Sequence, residues 1–153
     1  MDGDGPDGRN GTRGSLADTY VAAIQHELAS IDSEATLVGV VRRPTGWFHA
    51  TVDENIPALG PPEELLVETK STADDLKLRG LCDEEAHNAA WEQVGFAKRY
   101  RTYLCESDEA LAALDRLRGR LESGESLVLV CFENTAKKRC HRTILRAVLD
   151  DRS

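Results

Sequence analysis

Long apolar runs, paired-cysteine motifs and lysine are what this 153-residue chain has little of. No stretch approaches the roughly 18 apolar residues of a bilayer-spanning helix, so no membrane association is expected. The opening MDGDGPDGRNGTRG lacks the basic start and apolar stretch of a secretory signal, which points to a cytoplasmic location. Cysteines 82, 105, 131 and 140 contain no C-x-x-C pair. In such a compartment they read as reduced thiols and not as a disulfide framework. Aromatic residues are only 5% of the chain, and five lysines stand among 19 basic residues.

Acid is in excess. Asp and Glu total 27, for a net charge of −8. An acidic, Lys-poor surface stays hydrated and self-repelling, as in a halophilic adaptation, and it equally fits an ordinary acidic cytosolic protein. Either way the overall charge opposes non-specific binding to nucleic acid, so any anion site must be local. Hydrophobic residues reach 41%, enough for the core of one domain.

Met1 to Gly14 carry five glycines and read as a disordered acidic tail, with residues 15–153 as a single domain. Leu16, Tyr20, Ile24, Leu28 and Ile31 recur at helical spacing after Ser15, which predicts a first helix to about residue 31. Thr36 to Val41 is β-branched and reads as a buried strand, ended by Pro44. Residues 44–61, rich in proline, read as a long ordered loop with a short strand near Phe48 to Val52. Helices are expected over 62–77, from Asp83 to Val94, from Phe96 to Leu104, after Ser107 as far as Gly124, and from Cys140 to Leu149. Ser126 to Phe132 is the clearest strand. Continuous apolar strands among helices imply an α/β fold with a small parallel sheet.

Chemistry concentrates after that last strand. Lys137, Lys138, Arg139, Arg142 and Arg146 crowd ten positions that hold no acid. Strand ends in parallel sheets face ligand crevices, and a helix N-terminus favours anions. We therefore expect an anion site made by Arg42, Arg43, Lys137, Lys138, Arg139 and Arg142, for a phosphate-bearing small molecule or nucleic acid. A solvated basic loop paired with surface acids would show the same composition. Cys140, at the helix start among cations, is a candidate nucleophile, with His141 or Glu133 as proton partner. Equally, Cys140 with Ile144 and Val148, and His141 with Leu145 and Leu149, could simply pack inward. Cys131, Glu133, Cys140 and His141 do not show common zinc-ligand spacing, so neither a metal nor another cofactor is expected. His87, Asn88 and Trp91 share a helix and read as packing residues. Nothing in the sequence signals an oligomeric state.

The segment Cys131-Phe-Glu133, followed by Cys140-His141-Arg142, resembles the C-x-E … C-H-R ending of the domain of unknown function family 488. Val40-Val41-Arg42-Arg43-Pro44 is similar to that family's D-V-R-R-x-P segment, although Gly39 and Val40 stand where the acid would be. Phe96 to Leu104 is similar to its aromatic-and-basic helix. The resemblance spans about residues 36 to 149. It implies a compact α/β domain and groups Cys131, Glu133, Cys140, His141 and Arg142 in one site, without naming a reaction. A rival expectation is a non-catalytic interaction domain that docks a protein through the Pro-rich loop carrying Trp47 and Phe48.

Overall fold

The computed structural model describes residues 14–26, 34–133, 135 and 137–150. Four strands, β1 (Leu16–Tyr20), β2 (Thr36–Gly39), β3 (Glu54–Asn55) and β4 (Leu127–Cys131), form one sheet in the order β1-β4-β2-β3. All three pairings are parallel. Every residue of β4 is buried. Because successive side chains point to opposite faces, the central strand is covered on both sides, which explains its unbroken apolar sequence. The chain is a small α/β domain, as expected.

Seven helices accompany the sheet among the described residues: α1 (Val21–Gln25), α2 (Gly46–Thr51), α3 (Glu63–Leu78), α4 (Asp83–Gln93), α5 (Phe96–Glu106), α6 (Asp108–Glu122) and α7 (His141–Asp150). Local signals set most boundaries. The Ser107 hydroxyl accepts the Ala110 N–H at the start of α6, and Gly95 and Gly124 adopt the left-handed conformations that end helices. Leu114, Leu117 and Leu121 of α6 bury one stripe against the core, and α7 packs on β1 and β4 through Leu145 and Leu149.

Two expectations are corrected. Leu16 to Tyr20 is a strand, not the first turn of a helix, and α1 spans only Val21–Gln25; residues 27–31 of the expected helix lie outside the described residues. The spacing of Leu16, Tyr20 and Ile24 fits a helix, but the free edge of β4 offers a full ladder. It pairs Leu16 with Leu127 through Tyr20 with Cys131, and satisfying buried backbone outweighs a weak local propensity. Around residue 48 the chain is helical, not extended. Thr45 caps α2 by accepting the Phe48 N–H at 3.4 Å, and Phe48 is buried. The short strand comes afterwards, at Glu54–Asn55. Positions 1–13 of the expected tail lie outside the described residues, while the Gly14 N–H donates to Leu121 O at 2.7 Å.

Candidate functional site

Because β2 and β4 are adjacent and parallel, Val41-Arg42-Arg43 and Cys131-Phe132-Glu133 leave the sheet at the same edge. A cleft of about 490 Å³ opens there, walled by α3 and α4, and the buried Cys131, Cys140 and His141 are among its lining residues. This is the crevice that parallel topology creates beyond strand ends.

Asn55 braces the exit of β2, its amide accepting the Val41 N–H at 3.1 Å and donating to Val41 O at 3.0 Å. The exit of β4 is held from α4. Asn88 donates to Lys137 O at 3.0 Å and accepts the Arg139 N–H at 3.0 Å, while His87 Nε2 donates to Arg139 O at 2.8 Å. Residues that looked like packing thus grip the chain just before Cys140. Sequence could not show this, since Asn88 and Arg139 lie 51 positions apart. Trp91 contributes aromatic wall to the same cleft, stacked on Phe96 at 3.9 Å.

Cys140 and His141 are 5% and 8% exposed, and both line the cleft. Cys140 Sγ lies 2.7 Å from Cys131 Sγ and 3.5 Å from His141 Nδ1. His141 Nε2 stands 2.5 Å from Val40 O. A carbonyl only accepts, so Nε2 carries the proton and Nδ1 presents a lone pair to the thiol. Burial, the largest influence on Cys140, opposes its ionisation. The Cys131 hydrogen bond, the Arg142 backbone N–H and the Arg142 charge outweigh it and bring the Cys140 thiol below its ordinary value. Burial pushes the Cys131 thiol well up, aided by its bond to Cys140. Burial likewise lowers His141 and keeps the imidazole neutral.

The expected cationic residues divide. Arg42, Arg43, Lys138 and Arg139 line the cleft together with Glu133. Arg42 donates to Pro61 O, Gly60 O and the Tyr103 hydroxyl at 2.8 to 3.0 Å. Arg43 pairs with Glu63, Lys138 with Asp83, and Arg139 with Glu92. The bond from Lys138, then that from Lys77, holds Asp83 down at about 2. Lys137 is exposed and outside the cleft lining. Arg142 is 2% exposed and does not line the cleft either. Its guanidinium donates to Asp18, Thr19 O, Cys131 Sγ, Glu133 O and the Thr135 hydroxyl. Such a saturated, buried arginine positions its neighbours and leaves little for a ligand.

Among the described residues, no group of three or more His, Cys, Asp or Glu side chains is arranged to hold a metal ion, and no helix is long and apolar enough to cross a membrane. A small parallel α/β domain with a cleft at its strand ends, lined by two cysteines and a histidine, defines the class of protein. The family comparison agrees with the C-x-E … C-H-R pattern: the model of the active DUF488-N3 subclade, DUF488-N3a, matches residues 20–153, and the chain belongs to that family. No curated protein and no solved structure matches the chain.

Proposed function

We propose that the cleft recognises an anionic, phosphate-bearing small molecule and that Cys140 acts on it as a nucleophile. The observation that carries this reading is the chain of contacts from Cys140 Sγ through His141 Nδ1 to Val40 O. It supplies a nucleophile, a base within reach, and a group that orients the base. Attack would transfer the Cys140 proton to His141 Nδ1, which returns it to the leaving group, with Glu133 at the cleft wall as the relay between them. The start of α7, with Cys140 and His141 in the cleft lining, adds the positive end of its dipole.

The size and sign of the cleft favour a small molecule over nucleic acid. About 490 Å³ suits a compact ligand, and a net charge of −8 repels a polyanion beyond the cleft. Arg43, Lys138 and Arg139 would exchange exposed carboxylate partners for the ligand, at low cost because exposed pairs contribute little. The family's description as an active subclade accords with retained chemistry.

Alkylation of Cys140 by iodoacetamide, followed with and without inorganic phosphate and nucleoside phosphates, tests the reading. Rapid labelling near neutral pH, slowed by the anion in the parent but not in a Lys138→Met/Arg139→Met variant, supports it. Labelling no faster than at Cys82 and indifferent to every anion overturns it.

A second reading draws on a surface feature. Of the expected docking pair, Phe48 is fully buried and belongs to the core, whereas Trp47 is 50% exposed and meets Phe132, 37% exposed, edge to face at 6.0 Å, a patch that suits docking of a protein partner. Loss of a partner on Trp47→Ala, with no anion effect at Cys140, would favour it.

A further inference from the structure

We propose that Cys131 and Cys140 form a redox pair, in which a hydroperoxide oxidises Cys140 and Cys131 resolves it to an intramolecular disulfide. This goes beyond the reading above, while using the same Cys140 sulfur. Two sulfurs at 2.7 Å in a buried site are set for exchange with each other before either can meet a sulfur from another molecule. Cys131 ends β4 and Cys140 immediately precedes α7, so neither sulfur has to travel.

The two sulfurs have unequal surroundings. Cys140 accepts a hydrogen bond from the Cys131 thiol and ionises more readily than an ordinary thiol, passing its proton to His141 Nδ1, whereas burial and the bond to Cys140 hold the proton on Cys131. The Cys140 thiolate attacks one oxygen of the peroxide. The O–O bond breaks, the departing alkoxide takes a proton and leaves as the alcohol, and Cys140 becomes a sulfenic acid. That product is neutral, which removes the negative charge that held the Cys131 proton in place. Arg142 Nη1, 3.1 Å from Cys131 Sγ, then favours the Cys131 thiolate. It attacks Cys140 Sγ, the S–O bond breaks, and the hydroxyl leaves as water with the proton given up by Cys131. One hydroperoxide and two thiols yield one disulfide, one alcohol and one water.

Oxidation would remove the nucleophile reversibly and spare it from the irreversible sulfinic state. Exposed Cys82 and Cys105 have no such partner among the described residues and serve as internal controls.

The experiment treats the full chain with hydrogen peroxide, blocks remaining thiols and maps tryptic peptides without reductant. Lys137, Lys138 and Arg139 lie between the two cysteines, so trypsin separates them and a disulfide appears as two linked peptides. The expected result is that linked species in the monomer, abolished by dithiothreitol. Cys131→Ser should instead leave Cys140 trapped by dimedone, and Cys140→Ser should leave Cys131 reduced. Both thiols still free at peroxide levels that oxidise Cys82 or Cys105, or disulfides only between molecules, would overturn the proposal. The anion test on reduced protein reads separately: its failure leaves the redox pair standing, and protection without a disulfide leaves only the anion site.

Discussion

Arg142 Nε meets the Asp18 carboxylate at 3.0 Å across 124 positions of sequence. The contact ties α7 to the edge strand β1, and Arg146 reaches the other oxygen of the same carboxylate at 2.7 Å. Both guanidinium groups therefore hold the sheet to its covering helix, and the Arg142 fork also fixes Glu133 O and the Cys131 sulfur.

Removing the Arg142 side chain should consequently act through folding. Arg142→Met leaves Asp18 with Arg146 alone and deprives Thr19 O and Glu133 O of a donor, each buried acceptor left unpaired costing about 1–3 kcal/mol. Urea unfolding should show that loss, and whatever protein folds should label more slowly at Cys140. A variant of unchanged stability that has lost only its response to phosphate would show that Arg142 contacts the ligand after all.

Asn88 offers a milder lesion. Asn88→Ala deletes two hydrogen bonds to residues 137 and 139, each contributing about 1 kcal/mol. Stability should fall modestly, while anion protection of Cys140 against alkylation should weaken, because the strip carrying Lys138 and Arg139 keeps only His87 as its backbone anchor on α4. Unaltered protection in a correctly folded variant would refute that link.

Acidification tests His141. Burial lowers its affinity for a proton in the folded state. Below about pH 6.5 the unfolded chain takes up a proton that the native chain resists, so stability is full above that range and declines as pH falls through it. Urea midpoints measured from about pH 7.5 down to about pH 5.5 should decrease in the parent and decrease less in His141→Gln.

Gly39 is required by contact. A Cβ there would stand 2.5 Å from Phe48 Cε2 and 2.6 Å from Asn55 Oδ1. Gly39→Ala should cost about 1–3 kcal/mol through overpacking. It should also disturb Arg42, because Asn55 braces Val41 beside it. Thermal unfolding with phosphate titration measures both effects.

The buried strands and long helices were legible because their signals are local. β4 is an apolar run, α6 has a leucine stripe opened by Ser107 and closed by Gly124, and two glycines end helices where only they fit easily. The helix over 46–51 was hidden by a Pro-rich composition that resembles a loop. The strand at residue 16 was hidden because five residues suit either period, and the partner that decides between them lies more than 100 positions away.

Charge type and charge use separate in the same manner. The amino-acid order alone determined that cations, two thiols and a histidine cluster between β4 and α7, and that the strands around them would be parallel. Only the tertiary structure decided which of those groups face the cleft. It turned Arg142 inward to Asp18, set Cys131 against Cys140, and recruited Asn88 and His87 from α4 to hold residues 137–139. The reason is geometric: composition places a side chain on an element, but its partner is chosen by whatever the packing of distant elements brings within hydrogen-bonding distance.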